Sequence, residues 1–112
     1  MKAKICGIKD EKTLRFIIDH SYPPEFIGFI CNFPKSKRFV ENETLKYLTN
    51  INKKKTNYVS VLVNPSDKDL EFLKDLNFDY YQLYDVSPDR TKKIIQKYKF
   101  KIITAFTINN KN

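Results

Sequence analysis

The chain has 112 residues, 41% of them hydrophobic and 30% charged, enough for one domain with a single core and too few for two. No apolar run is long enough to span a bilayer, and the short N-terminal apolar stretch contains lysine, so neither a membrane span nor a signal peptide is expected and the chain reads as cytoplasmic. The formal charge of +8 invites a nucleic-acid reading, yet the lysines are scattered, the one dense run is Lys53-Lys54-Lys55, and arginine occurs only at Arg15, Arg38 and Arg90. Without a clustered basic patch, no nucleic-acid partner is expected. Cys6 and Cys31 lie on separate apolar runs without metal-type spacing, which argues against a disulfide framework or a zinc site, and none of the functions weighed for this chain implies a metal or organic cofactor.

In chain order, Ala3–Cys6 reads as a first strand. Asp10 or a neighbour caps a helix whose inward stripe is Leu14, Ile17 and Ile18, and Pro23-Pro24 prevents its continuation. Phe26–Cys31 is apolar throughout, as a strand covered on both faces should be. A basic loop from Asn32 to Val40 follows, then a helix over about Asn42–Asn50 with Leu45 and Leu48 on one side. Tyr58–Val63 is a third strand. Ser66 and Asp69 open the next helix in the manner of a capping box, and that helix is expected to reach Leu76. Asp79–Tyr84 is a fourth strand. Ser87-Pro88 starts a helix to about Tyr98, and Lys101–Phe106 is a fifth strand. Strands and helices alternate throughout, with no hairpin dipeptide, so the class is parallel α/β. The pattern leaves two architectures open, a doubly wound sheet and a (β/α)8 barrel. A Gly-x-Gly-x-x-Gly fingerprint is absent, Gly7 and Gly28 being the only glycines.

The segment Lys4-Ile5-Cys6-Gly7-Ile8 carries the first chemical signal. A strand that ends in a thiol, a glycine and then charged residues delivers one reactive side chain to the mouth of an α/β sheet. Against this stands the plain alternative that a lone cysteine on an apolar strand is a small core residue. Cys31 takes that plain reading. His20, at the expected end of the first helix, reads as a surface or capping residue.

Taken together, the motifs resemble phosphoribosylanthranilate isomerase, a tryptophan-biosynthesis enzyme with a (β/α)8 barrel. The pieces are Lys4–Ile8 on strand one, Phe26–Phe29 on strand two, Pro34–Val40 after it, Val59–Asn64 on strand three and Tyr81-Gln82-Leu83 on strand four. The resemblance runs over essentially the whole chain. It implies a (β/α)8 TIM barrel of which residues 1–112, read as one domain, supply the N-terminal portion from the first strand to the fifth. It also implies the Amadori rearrangement of N-(5-phosphoribosyl)anthranilate to 1-(2-carboxyphenylamino)-1-deoxyribulose 5-phosphate. In the family, an acid opens the ribose ring to a Schiff base and a cysteine thiolate removes a carbon-bound proton. On the matched positions Cys6 is that base and Arg38 binds the anthranilate carboxylate, a task suited to a planar two-donor group. Gln82, near the end of strand four, is expected to touch substrate. Lys35 and Ser36 shape the substrate loop without a catalytic duty.

Two departures stand out. Where the family often has His-Gly after strand four, this chain has Tyr84-Asp85. A full barrel needs at least about two hundred residues, and the family's acid on strand six and phosphate loops after strands seven and eight have no counterpart in these residues. Asp85 and Asp89 belong to the strand-four loop and are no substitute. A half-barrel would leave strands one and five as open edges with inner side chains facing water. The chain on its own is therefore expected to be inactive and poorly soluble, self-associated or only partly ordered, as a truncated part of a full-length enzyme or the partner of a complementary C-terminal half. The competing reading is a non-catalytic or split half-barrel that binds a partner or a phosphorylated ligand.

Overall fold

The computed structural model describes residues 4–104. Its elements are β1 (Lys4–Cys6), α1 (Glu11–Ile18), β2 (Phe26–Ile30), α2 (Asn42–Thr49), β3 (Asn57–Val63), α3 (Asp67–Leu73), β4 (Tyr80–Tyr84), α4 (Pro88–Tyr98) and β5 (Ile102–Thr104). The five strands form one sheet in the order β1-β2-β3-β4-β5, every neighbour parallel.

That order decides between the two architectures. A doubly wound sheet reverses its strand order at a switch point and so places helices on both faces. Here each strand is added on the same side of the last. With right-handed crossovers, that places every helix on one face and leaves the other face bare of helices. The result is the wall of a parallel (β/α) barrel, with an outer and an inner side.

Period-two alternation assigns the side chains. Ile27, Phe29, Tyr58 and Leu62 point outward and are wholly buried beneath Leu14, Leu45, Leu48 and Leu70 of the helices. Burying such a side chain contributes about 1.5–3 kcal/mol, so this face is where stability accumulates. The Phe29 ring meets Tyr58 edge-on at 5.3 Å, and the Tyr58 hydroxyl donates to the Ile51 carbonyl at 2.9 Å. Cys31 belongs to this same layer. Its thiol donates to the Phe29 carbonyl at 3.3 Å and accepts from Ser60 Oγ at 3.1 Å, while burial pushes its pKa up to about 12.

The helix starts follow from local chemistry. Asp10 accepts from the Thr13 N–H at 2.8 Å, Ser66 and Asp69 form a reciprocal capping box, and Ser87 accepts from the Arg90 N–H at 3.1 Å ahead of Pro88. Most expected boundaries move by a residue or two. α3 stops at Leu73 rather than Leu76, because the chain turns there and the Leu76 N–H bonds the Leu73 carbonyl at 3.0 Å. Asp79 stays outside β4, its carboxylate accepting from the Tyr58 N–H at 2.8 Å. Ala3 of the expected first strand and Ala105-Phe106 of the fifth lie outside the described residues. The Lys53–Lys55 run sits at the N-terminal end of the sheet, where Lys53 pairs with Asp79 at 3.1 Å and Lys54 with Asp19 at 2.5 Å. No helix among the described residues is long and apolar enough to cross a membrane.

Candidate active site

In a parallel barrel the chemistry gathers where strands end and βα loops begin. Here that edge is built from the ends of β1 to β4. Cys6 is the last residue of β1, a free and half-buried thiol on the inner face, paired in register with Gly28 of β2. Gly7 follows with φ +96, a left-handed conformation in which a side chain is strained. Its missing Cβ has a second consequence. A Cβ built there would lie 2.3 Å from Cδ of Arg38 and 3.1 Å from its Cγ, so the arginine stem occupies that space.

Arg38 arrives by a folded loop. Ser36 N–H bonds the Phe33 carbonyl at 3.0 Å, Phe39 N–H bonds the Ser36 carbonyl at 3.2 Å, and the chain rejoins β2 through Val40 N–H to the Ile30 carbonyl at 3.0 Å. The Arg38 N–H is itself held by Ser36 Oγ at 3.1 Å, and Lys9 Nζ reaches the Lys37 carbonyl at 3.1 Å. The loops after β1 and β2 are thus tied together. Arg38 thus packs its stem against Gly7, the residue bonded to Cys6, although 32 positions separate Arg38 from Cys6 in the sequence.

Gln82, in the middle of β4, also faces inward and is 9% exposed. Its Oε1 accepts a hydrogen bond from Lys4 Nζ, which reaches across from β1. The path runs over Gly28, where a Cβ would lie 3.1 Å from Cys6 Sγ, 3.2 Å from Lys4 Cε and 3.4 Å from Val61 Cγ2. Loss of hydration lowers the Lys4 pKa below the usual lysine value, and interaction with Cys6 acts in the opposite direction.

Sequence reasoning missed Lys4 as more than part of a motif. Its signal was the spacing: residues two apart on a strand share a face, so a lysine two before the cysteine lies on the cysteine's side. It also missed Asn32. The Asn32 amide donates to the Val63 carbonyl at 2.9 Å and its oxygen accepts from the Val63 N–H at 2.8 Å, fastening the ends of β2 and β3 as a strand pair would. His20 lies with α1's C-terminal end, its Nδ1 accepting from the Tyr22 N–H at 3.0 Å, away from this edge. Asp85, standing where the family pattern often has glycine, adopts φ +55. Aspartate is among the few side chains that enter that region readily, so the turn after β4 keeps a left-handed residue without glycine. Among the described residues, no cluster of three His, Cys, Asp or Glu could hold a metal ion.

Comparison with known proteins bears on this edge. An N-(5'-phosphoribosyl)anthranilate isomerase of Thermoanaerobacter sp. (strain X514) is 31% identical over 113 residues, covering 99% of this chain and 52% of the relative. The enzyme of that name from Rhizobium rhizogenes (strain K84) is 29% identical, covering 96% of this chain and 48% of its own. This chain resembles the phosphoribosylanthranilate isomerases. It spans about half the length of the curated relatives it matches.

Solved structures agree on the fold. A phosphoribosyl anthranilate isomerase in complex with reduced 1-(o-carboxyphenylamino)-1-deoxyribulose 5-phosphate superposes with a TM-score of 0.84 at 24% identity, over 98% of this chain and 55% of that one. The Thermotoga maritima isomerase gives 0.80 at 24% identity, over 93% and 49%. The described residues therefore form half of a parallel (β/α)8 barrel. No family model matches the chain.

Proposed function

We propose that this chain supplies the base and the carboxylate anchor of a phosphoribosylanthranilate isomerase acting in tryptophan biosynthesis. The observation that carries the reading is the packing of the Arg38 stem on Gly7, directly after Cys6 at the C-terminal end of β1. The relatives' name supports the same reaction class.

In this reading an acid protonates the ribose ring oxygen and the ring C–O bond breaks, leaving an iminium ion at C1. The Cys6 thiolate then takes the proton from C2. The C–H electron pair forms the C1–C2 double bond and neutralises the nitrogen, and the resulting enol relaxes to the ketose. A thiolate suits this step because it accepts a carbon-bound proton near neutral pH when positive charge lies beside it. Arg38 holds the anthranilate carboxylate through paired N–H donors. Gln82 lines the inner wall beside the sugar. In this reading the acid and the phosphate cradle lie outside residues 1–112, so these residues by themselves bind ligand weakly and do not turn it over.

Calorimetric titration with the reduced product analogue, together with turnover assays on the chain mixed with the C-terminal half of the Thermotoga maritima enzyme, tests this. Cys6→Ser should bind within about threefold of wild type and lose turnover by about 10³-fold or more, as removal of a general base does. Arg38→Met should weaken binding by about tenfold or more, the loss of a charge-assisted pair. Turnover unchanged in Cys6→Ser would sink the base assignment, and absence of turnover in the wild-type mixture with binding retained would leave a half-barrel that only binds.

A further inference from the structure

The inner face holds a charged group that the isomerase reading leaves unused. Lys4 extends from β1 over two strands to Gln82 on β4, a reach made available because Gly28 has no side chain in its way. An ammonium on a half-buried sheet face loses hydration, and the Gln82 carboxamide returns one neutral hydrogen bond without any charge. The neighbour able to supply a counter-charge is Cys6: its Sγ and Lys4 Cε both border the vacant Gly28 position, 3.1 and 3.2 Å from a Cβ built there.

We propose that Lys4 is a positioning residue for Cys6: held across Gly28 by Gln82, it keeps a fixed positive charge beside the sulfur and so favours the thiolate. The inference rests on the reading of Cys6 as the base for its meaning in catalysis, although not for its test. Gln82 thereby acquires a second duty, that of anchoring the lysine. Among the described residues, Lys4 is the cation whose stem borders the same Gly28 position as the sulfur. β2 offers Phe26, Gly28 and Ile30 on this face, and β3 offers Val59 and Val61. β4 places Tyr80 and Tyr84 either side of Gln82. On β5, Ile103 faces Gln82, and the nearby Lys101 ammonium lies 6.0 Å from the Tyr80 ring. Arg38 lies beyond Gly7, with its stem on that residue.

The test is the pH profile of Cys6 alkylation by iodoacetamide, read by mass spectrometry of the Cys6 peptide so that Cys31 does not contribute. Only the thiolate attacks, forming the C–S bond as iodide leaves. Removing the positive charge in Lys4→Met should raise the midpoint by about one pH unit and slow labelling at pH 7 by about tenfold. Lys4→Arg, which keeps the charge, should restore the wild-type midpoint, and Gln82→Leu should give an intermediate rise. A wild-type midpoint in Lys4→Met with a native circular-dichroism spectrum overturns the proposal. Should Lys4→Met not fold, Lys4→Gln, which keeps a donor toward Gln82, is judged by the same criterion. The assay contains no substrate. A shifted profile alongside full turnover in Cys6→Ser would therefore refute the base reading while leaving the Lys4–Cys6 pairing intact, and the reverse pattern would do the opposite.

Discussion

The two faces of the sheet are made by the same strands and share almost nothing else. The outer face surrenders Ile27, Phe29, Tyr58 and Leu62 to the helices, each fully buried, with the polar atoms of Tyr58, Ser60 and Cys31 bonded among themselves or to backbone. The inner face carries a lysine, a thiol, a glycine and a glutamine within reach of one another. A one-residue alternation thus separates what holds the wall together from what works at its mouth. Side chains that would be poor core are tolerated on the inner face because the helices never cover it.

That contrast can be broken most severely from the outside. Phe29→Ala removes a ring packed edge-on against Tyr58 and Phe78 and should cost about 3–5 kcal/mol of stability in a urea melt. A loss below about 1 kcal/mol would mean the outer layer is not the seat of stability assigned to it. Gly7→Ala probes the mouth. Holding alanine at φ +96 should cost about 1–2 kcal/mol. The new Cβ would also evict the Arg38 stem, so affinity for the reduced product analogue should fall more than stability does. Equal small effects on both would detach Arg38 from the site. Least of all, Ser66→Ala removes one half of the capping box that starts α3 and should cost about 1 kcal/mol, with no change in Cys6 alkylation. A shift in that alkylation would show that the two faces are less independent than their packing indicates.

Much of the outer face was legible in advance. Leu14, Ile18, Leu45 and Leu48 repeat at helical spacing, and Asp10, Ser66 and Ser87-Pro88 mark helix starts by hydrogen bonds made within one turn. Such signals are local, so a sequence displays them. The end of α3 was less legible, since the turn that stops it at Leu73 depends on a bond formed only once the chain has turned. The site was half legible. The motifs single out Cys6 and Arg38 as candidates, but not that the Arg38 stem fills the empty side of Gly7. The sequence places Gln82 on strand four as a candidate substrate contact but does not show its lysine partner from 78 residues away.

The sequence by itself determined the alternation of strand and helix, the parallel class, the helix caps and the residue types available at each strand end. These depend on periodicity and on contacts between near neighbours. Tertiary structure decided that the strands lie in sequential order, that one face stays clear of helices, and that Lys4 crosses Gly28 to Gln82 beside the Cys6 thiol. Those facts rest on register between distant strands, which no local pattern encodes, because the free energy that selects it comes from packing formed only when the whole sheet is in place.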